Sequence, residues 1–395
     1  MNTTLILEQV AEQDDYVRNL RRYFHENPEL SNQEFKTRDA IMAELVKIGL
    51  KPEFATSTGF IAVLDTGRPG KTLALRTDMD ALPLHESKNN LLGPRKCCSR
   101  QAGVMHACGH DGHIAILLGA AKILTRAQEQ ISGKIIFVFE EGEENISGIH
   151  GMVEFLRDKS IDAFYGCHLV SFLDTGTMAA DPGAVMAGFI NVDMTIHGLA
   201  GHGSRPDFSI NPVFAAAQVL SGISSAWNNR LNVEQTVTLG LTQIHAGNAN
   251  NIIPDSAYIG GSLRYFDIHE GEKALHVIKD TAELTARAHG CTAEFPESFR
   301  IVLKPLMNHP CLAALACQGG NELYPGKFLY DMKWFASESF SEYRELAPVV
   351  FPFVGARNPK VGSGAEHHNE LFDLDEDALQ YAVGMMVKFT TDFLG

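Results

Sequence analysis

The sequence predicts a layered α/β domain interrupted by a smaller ferredoxin-like α+β domain. Short apolar runs with strand character alternate with segments of helical periodicity in both flanks of the chain, and the middle follows the order strand, helix, strand, strand, helix, strand. The length of 395 residues favours two or three domains over one, and a composition of 45% hydrophobic and 21% charged residues is typical of a folded chain with a large core.

The flanks contain the elements of the α/β domain. Residues 34–48 and 113–126 carry apolar side chains at helical spacing, which predicts two helices, and Asp111 is suited to capping the second one. Short apolar runs bounded by turn residues predict the strands. These runs are Thr72 to Leu75, Ile135 to Phe139, Ala163 to Tyr165 and Val349 to Phe353.

The middle of the chain contains the elements of the inserted domain. We predict strands at 189–198, 235–244, 257–266 and near 292–295, with helices at 211–227 and 272–288. This order is the split βαβ arrangement of a ferredoxin-like domain. The predicted domains are therefore residues 1–185 and 301–395, which together form the α/β domain, and residues 186–300, which form the insert.

Charge and cysteine usage limit the classes of partner. A formal net charge of −15 without a basic run argues against nucleic acid and anionic membranes, so we expect small-molecule partners. We see no apolar run of membrane-spanning length and no secretory signal in the first residues. Seven scattered cysteines do not form a disulfide framework, and we therefore expect a cytoplasmic protein.

The densest group of reactive side chains is the stretch MHACGHDGH, residues 105–113. Four other acidic or histidine-containing segments follow apolar strand runs, where ligands bind in open α/β sheets because the carboxyl ends of the strands lie along one edge. These segments are Asp78 and Asp80, residues 140–144 (EEGEE), His168, and residues 366–368 (EHH). Thiolate, imidazole and carboxylate together suit a borderline-soft divalent ion such as zinc.

Each segment alone has an ordinary structural explanation, because an EEGEE run is often a solvated loop and a single histidine is often hydrogen-bonded in a core. Cys108 could also be a nucleophile with a histidine as its base. That alternative does not need two distant histidines and an acidic pair, whereas a metal site does. We therefore favour a metal site.

Several stretches resemble, in the same order, the motifs of the dinuclear metal amidohydrolase and exopeptidase family that includes hippurate hydrolases, auxin-conjugate hydrolases and p-aminobenzoyl-glutamate hydrolase. The resemblance covers almost the whole chain and implies a three-layer α/β/α catalytic domain with an inserted lid and dimerisation domain. LDTGRPG and the HHNELFDLDE ending look most like the p-aminobenzoyl-glutamate hydrolase branch. The other stretches are RRYFHENPELSNQE, LRTDMDALPL, MHACGHDGH, FEEGEENISG, GCHL, GHGSRPD and NIIPDSAYIGGSLRYFD.

The resemblance implies two divalent metal ions per subunit, zinc or manganese, with Cys108 as the bridging thiolate. It implies that His110 and Glu144 are ligands on one side, and that His168 and His368 are the remaining ligands. His367 is the alternative to His368. We prefer His368 because its distance in sequence from Phe372 matches the spacing in the family.

The resemblance also implies roles in catalysis and substrate binding. Glu143 resembles the general base, and Asp78 is expected to orient a ligand. His202 in the insert resembles a residue that reaches the active site of a neighbouring subunit, whereas Asn251 and Arg264 resemble groups that hold a substrate carboxylate. For Asp80, His106 and His113 we favour packing or capping.

We predict a metal-dependent amidohydrolase that cleaves N-acyl amino acids or related conjugates and forms a homodimer or higher homo-oligomer. The alternatives are a dipeptidase or aminopeptidase, a non-catalytic binding homologue, and a metal-free thiol hydrolase. The family's usual Gln-Pro-Ala is replaced here by Glu140-Glu141-Gly142. These carboxylates are expected to add negative charge beside Glu143, which could raise its pKa.

Overall fold

The computed structural model describes residues 1–395. The helices are α1 (Thr3–Glu26), α2 (Phe35–Ile48), α3 (His110–Arg126), α4 (Ile149–Leu156), α5 (Pro212–Arg230), α6 (Ile268–Ala288), α7 (Pro310–Leu323) and α8 (Asp377–Leu394). The strands are β1 (Pro52–Phe54), β2 (Phe60–Asp65), β3 (Thr72–Asp78), β4 (Lys134–Glu140), β5 (Ala163–Tyr165), β6 (His168–Asp174), β7 (Met178–Ala179), β8 (Gly183–Met186), β9 (Gly188–His197), β10 (Gly201–His202), β11 (Val237–Ala246), β12 (Ile252–Ile253), β13 (Ser256–Tyr265), β14 (Thr292–Glu294), β15 (Ile301–Leu303), β16 (Leu306–Asn308), β17 (Val349–Val350) and β18 (Phe353–Arg357).

The chain divides into two compact units. The first contains residues 1–183, 307–332 and 342–395, and the second contains residues 184–306 and 333–341. The sequence did not associate residues 333–341 with the insert. That residues 186–300 form a domain separate from the rest of the chain stays a prediction.

The first unit is built on a six-stranded mixed sheet with the order β1-β2-β4-β3-β5-β17. Strands β4, β3, β5 and β17 run parallel, and β2 is antiparallel to β4. Helix α3 is almost entirely buried and packs against α1, α8 and the sheet. Leu75 and Phe137 of the sheet and Leu117 of α3 lie in the same hydrophobic core, so the predicted α/β class is correct.

One predicted strand, Val349 to Phe353, is wrong as a single element. Residues 349–350 form β17 in the main sheet, while β18 begins at Phe353 and belongs to a separate three-stranded sheet with the order β6-β18-β7. Pro352 lies between the two strands and cannot donate a backbone hydrogen bond, which explains the break in an otherwise continuous apolar run.

The predicted start of the second helix is also wrong. Helix α3 begins at His110, directly after Gly109, whose φ of 89° lies in the left-handed region that favours glycine. Asp111 therefore lies within the first turn, and no side chain caps the helix. The Asp111 carboxylate instead accepts hydrogen bonds from Arg21 and His25 of α1.

The second unit contains a five-stranded antiparallel sheet, in which four strands follow the order β11-β13-β9-β14, together with the helices α5 and α6. Strand β15 also pairs with β9. In β9 every second residue is buried, including Ile190, Val192 and Met194, and these side chains share a core with Ala216 of α5 and Ile278 of α6. The observed order of elements is the predicted split βαβ arrangement. No helix of the chain combines the length and the apolar character needed to cross a membrane.

Candidate metal centre and active site

The candidate site lies in the first unit, where several strands of the main sheet end. Asp78 is the last residue of β3, and Glu140 is the last residue of the parallel neighbour β4. His168 follows β5 after two residues, and β5 also pairs in parallel with β3. The carboxyl ends of parallel strands meet at one edge, so residues far apart in sequence converge there.

Cys108 belongs to two groups of potential metal ligands. In the first, its Sγ lies within 4.8 Å of ligand atoms of His110 and His168, and in the second it lies within the same distance of Glu144 and His368. His110 also forms a group with Glu143 and Glu144. The five predicted ligands are therefore brought together, with the cysteine common to both groups.

The imidazole of His110 is oriented by Asp80. Its Nδ1 donates to the main-chain oxygen of Asp80 at 2.9 Å and lies 3.2 Å from the Asp80 carboxylate. Its Nε2 is buried and has no hydrogen-bond partner, although Glu144 Oε1 lies 3.7 Å away. A histidine that donates through one nitrogen and leaves the other without a partner has the usual arrangement of a metal ligand.

The imidazole of His168 is also oriented by a main-chain oxygen. Its Nδ1 donates to the main-chain oxygen of Leu169 at 2.7 Å, while its Nε2 lies 3.6 Å from Cys108 Sγ. Burial and the neighbouring His113 hold the pKa of His168 well below its ordinary value, so the ring is neutral and able to bind a cation.

The two adjacent histidines of the EHH segment have different environments. His367 hydrogen-bonds with Leu169 O at 3.1 Å and with Ser171 Oγ at 3.2 Å, and burial lowers its pKa to about 3. His368 Nε2 lies 3.3 Å from Glu144 Oε2. His368 is therefore the member of the pair that joins Cys108 and Glu144.

A glycine turn separates the two acidic pairs of the EEGEE run. Gly142 has a φ of 59°, and a Cβ at this position would lie 2.4 Å from Ser147 Oγ. Its N–H donates to Glu34 Oε1 at 2.9 Å, and the N–H of Glu144 donates to Asp80 Oδ2 at 3.0 Å. These contacts fix the backbone on both sides of Glu143, which is itself buried.

The carboxylates of the first acidic pair are both hydrogen-bonded. Glu140 is buried and accepts hydrogen bonds from Arg76 Nε and Tyr343 Oη, both at 2.8 Å. Glu141 accepts from the Thr58 N–H and hydroxyl and from the Gly59 N–H. Burial would raise the pKa of Glu141, but these hydrogen bonds lower it. Each carboxylate therefore has donors of its own, and the effect of this pair on the pKa of Glu143 stays a prediction.

The shortest histidine contact of Asp78 is with His113, which is not one of the predicted ligands. Its Oδ1 accepts from His113 Nδ1 at 2.8 Å, while its Oδ2 accepts from Arg76 at 2.9 Å and lies 3.8 Å from His110 Nε2. The other ring nitrogen of His113 accepts from the Leu169 N–H, so His113 is a structural residue. The principal contact of His110 is Asp80, for which we had favoured packing or capping.

The residues fit a pair of divalent cations. Burial and the Glu144 carboxylate raise the pKa of the Cys108 thiol well above its ordinary value, so a nearby cation is needed to hold this sulfur as a thiolate. Glu144 Oε1 is buried without a hydrogen-bond partner, as is His110 Nε2. Burying these two polar atoms without a partner would cost folding free energy unless a metal ion binds them.

His202, Asn251 and Arg264 lie in the second unit. His202 is exposed on β10, and its Nδ1 accepts from the Ser204 N–H at 3.1 Å. The main-chain oxygen of Asn251 accepts from the Gly203 N–H at 2.8 Å, which brings the two segments together. The Arg264 guanidinium lies 4.4 Å from the centre of the Phe189 ring, and burial lowers its pKa.

Four charged residues that were not predicted as site residues contact the segments that contain the predicted ligands. Arg76 and Glu34 each contact the EEGEE run, and Arg21 and His25 contact Asp111 beside His110. The quoted motifs contain all four, but a motif does not indicate which charged side chains face inward.

A buried thiol shared by two groups of imidazole and carboxylate donors, with a further carboxylate beside them, defines a metal-dependent hydrolase. The sequence profile of Peptidase family M20/M25/M40 matches residues 74–392, and the chain belongs to this family. It is a hydrolase that acts on amide bonds.

Curated relatives span nearly the whole chain. Thermostable carboxypeptidase 2 of Saccharolobus solfataricus is 32% identical over 94% of this chain and 93% of its own length. IAA-amino acid hydrolase ILR1-like 2 of Arabidopsis thaliana is 32% identical over 96% of this chain and 85% of its own length. N-acetylcysteine deacetylase of Bacillus subtilis is 31% identical over 92% and 93%.

Solved structures share the fold. A candidate aminohydrolase from methicillin-resistant Staphylococcus aureus superposes with a TM-score of 0.92 at 26% identity and covers 100% of both chains. The Bacillus subtilis YXEP protein, described as a dinuclear metal-binding peptidase of the M20 family, gives a TM-score of 0.84 at 28% identity over 97% of this chain and 99% of its own.

Proposed function

We propose that the protein hydrolyses the amide bond of N-acyl amino acids, with two divalent metal ions bound by Cys108, His110, Glu144, His168 and His368. The observation that carries this proposal is the position of Cys108 in two ligand groups at once, because one sulfur common to two groups suits a bridging thiolate. The YXEP protein, with the same fold, is described as dinuclear. Zinc and manganese are both suited to this mixed donor set.

Glu143 is the general base in this proposal. When bound, the metal ions would polarise the scissile carbonyl and lower the pKa of water. Glu143 accepts a proton from the attacking water as the water oxygen bonds to the carbonyl carbon, and it passes the proton to the amide nitrogen as the carbon–nitrogen bond breaks. Its neighbour Glu144 is directed towards the ligand groups, so the adjacent carboxylates can divide the two tasks.

The names of the relatives support the substrate class. An IAA-amino acid hydrolase and an N-acetylcysteine deacetylase each act, by name, on an acyl group attached to an amino acid. Such a substrate carries a free carboxylate, for which Arg264 and Asn251 are suited donors. A p-aminobenzoyl-glutamate-like conjugate belongs to the same chemical class. A carboxypeptidase among the relatives makes peptide hydrolysis the second candidate.

We further propose that the active unit is a homodimer in which His202 of one subunit acts in the site of the other. The second unit carries a cavity of about 590 Å³ lined by Gly203, Phe214 and Ile252. Phe214 and Ile252 are both largely exposed, and exposed apolar side chains beside a functional residue favour a protein interface. His202 would donate a hydrogen bond to the carbonyl oxygen as negative charge develops there.

Seven free cysteines favour a cytoplasmic location.

The division of labour between the paired glutamates can be tested by matched substitutions. Glu143→Gln removes the proton acceptor and keeps the shape, so turnover should fall by about 10²- to 10⁴-fold while bound metal stays unchanged. Glu144→Gln should instead lower the bound metal, measured by elemental analysis after gel filtration. Exchange of the two phenotypes would show that the assignment is displaced by one residue.

Chelation and a substrate panel test the reaction class. The purified protein should lose activity with a chelator and regain it with manganese or zinc, whereas a thiol hydrolase would not respond. N-acyl amino acids, aminobenzoyl-glutamate and dipeptides with free amines should then be compared by kcat/KM. Preference for free-amine dipeptides would replace the proposed substrate class by that of a peptidase, and no turnover by the metal-loaded protein would favour a binding protein.

A further inference from the structure

The loop that contains His368 has little regular structure of its own. It connects β18 with α8, and residues 362–376 between them form no helix or strand. His368 itself has a φ of 59°, a left-handed conformation that is unfavourable for a residue with a Cβ. Its side chain is also 52% exposed, so packing restrains it weakly. A ligand in this position requires support from outside its own loop.

Arg95 supplies three hydrogen bonds at this point. Its Nη2 donates to the main-chain oxygen of Glu370 at 2.8 Å, and its Nη1 donates to the main-chain oxygen of Phe372 at 2.6 Å. Its Nε donates to the main-chain oxygen of Ser87 at 2.8 Å. The acceptors at Glu370 and Phe372 lie two and four residues after His368. One planar guanidinium therefore ties the segment 85–101 to the loop of His368.

The charge of Arg95 is compensated locally. Its side chain is only 1% exposed, and the Glu86 and Asp373 carboxylates lie 3.5 and 3.7 Å away. Glu86 is held in turn by His25 Nε2 at 2.8 Å, and Asp373 by Asn90 Nδ2 at 2.9 Å. The guanidinium is thus buried, and nearby carboxylates compensate its charge where it donates to the carbonyl oxygens.

We propose that Arg95 is a positioning residue that holds the loop of His368 in the conformation needed to bind metal. This inference rests on the proposed role of His368 as a ligand. Residues that orient metal ligands commonly change metal affinity by about 10- to 100-fold when they are replaced. Arg95 acts on the ligand through the backbone that follows it, without touching metal or substrate.

The first test compares substitutions at Arg95 with one elsewhere in the same segment. Arg95→Met removes all three donors. The affinity of this variant for Mn²⁺, measured by competition with a chelator, should fall by about 10- to 100-fold at the site that includes His368. Arg95→Lys should be intermediate, because an ammonium group cannot match the planar fork. Arg100→Met is the control, since Arg100 is 70% exposed and pairs with Glu26. Unchanged affinity in Arg95→Met would overturn the inference.

A double-mutant cycle separates positioning from a general structural effect. In a His368→Ala background, Arg95→Met should cause no further loss of Mn²⁺ affinity, because the ligand on which it acts is gone. A loss of equal size in both backgrounds would overturn the inference. If His368→Ala alone left Mn²⁺ binding unchanged, the proposed ligand set would fail instead. If Arg95→Met did not fold, Arg95→Lys would decide, and wild-type affinity in that folded variant would refute the positioning role.

Discussion

At the scale of single residues, Asp80 links two predicted ligands. Its carboxylate lies beside His110 Nδ1 and also accepts hydrogen bonds from the Ser31 hydroxyl and the Glu144 N–H. It is fully buried, and its pKa is lowered because the hydrogen bonds from His110, Ser31 and Glu144 outweigh the cost of burial. One side chain therefore fixes an imidazole ring and the backbone of a carboxylate ligand together.

Asp80→Asn should weaken metal binding by about 10- to 100-fold, because an amide cannot accept from all of these donors at once. The measurement is Mn²⁺ affinity by chelator competition. Asp65→Asn, at the exposed end of β2, is the matched control and should have wild-type affinity. Equal affinities in the two variants would contradict the role of Asp80.

Cys108 should behave as a metal ligand in chemical labelling. A thiolate bound to cations is unavailable for attack, so iodoacetamide should modify Cys108 slowly in the metal-loaded protein and faster after metal removal. Labelling should be done at alkaline pH, because burial raises the pKa of this thiol. Cys311 is exposed and should react equally in both states. An acyl-thioester trapped at Cys108 during turnover would establish the nucleophile instead.

At this scale the sequence predicted which residues would come together, but it did not predict the residues that support them. A cysteine, histidines and paired glutamates in distinctive motifs identify Cys108, His110 and Glu144 as a group, and the structure brings them together. The choice between Asp78 and Asp80 depends on which carboxylate faces which ring. Asp78 ends β3 and Asp80 follows it by two residues, so no spacing in the sequence shows which of the two contacts which ring.

At the scale of secondary-structure elements, α1 is tied to the start of α3 by buried charges. Arg21 Nε lies 2.9 Å from Asp111 Oδ2, and His25 Nδ1 lies 2.8 Å from the same oxygen. His25 Nε2 lies 2.8 Å from Glu86, so both ring nitrogens face carboxylates. A ring that donates on both sides is an imidazolium, and the carboxylates raise the pKa of His25 although burial and Arg21 oppose them.

This raised pKa predicts how stability depends on pH. The native protein binds the His25 proton more tightly than the unfolded chain does, so the stabilisation is complete below pH 6.5 and is lost as pH rises through the folded pKa. We expect the difference in melting temperature between wild type and His25→Gln to be largest near pH 6 and to narrow at alkaline pH. A difference that grew with pH would show that His25 is neutral in the native protein.

Element boundaries were less predictable than element types. The helices at 34–48 and 113–126 and the strands of the main sheet were identified because their apolar periodicity is strong. The break between β17 and β18 and the early start of α3 were missed, because a proline and a glycine decide them against continuous patterns. The place of residues 333–341 depends on tertiary contacts, which periodicity does not encode.

At the scale of the whole molecule, the proposed dimer predicts that two inactive variants can complement each other. His202→Ala and Glu143→Gln chains should each be nearly inactive alone, but a mixture should regain activity, because one site of a mixed dimer contains both intact groups. Subunit exchange can be followed with differently tagged chains. Confirmed exchange without any return of activity would place His202 in the site of its own subunit or in a structural role.

The buried contacts of Arg76 have a consequence for how this chain can diverge. Arg76 lies between Asp78 and Glu140, and Tyr343 reaches the same Glu140 oxygen. Loss of Glu140 alone would leave a buried cation with less compensation and a phenol without this acceptor, which is costly. Positions 76, 140 and 343 should therefore covary among descendants of this sequence, with changes at one fixed together with changes at the others.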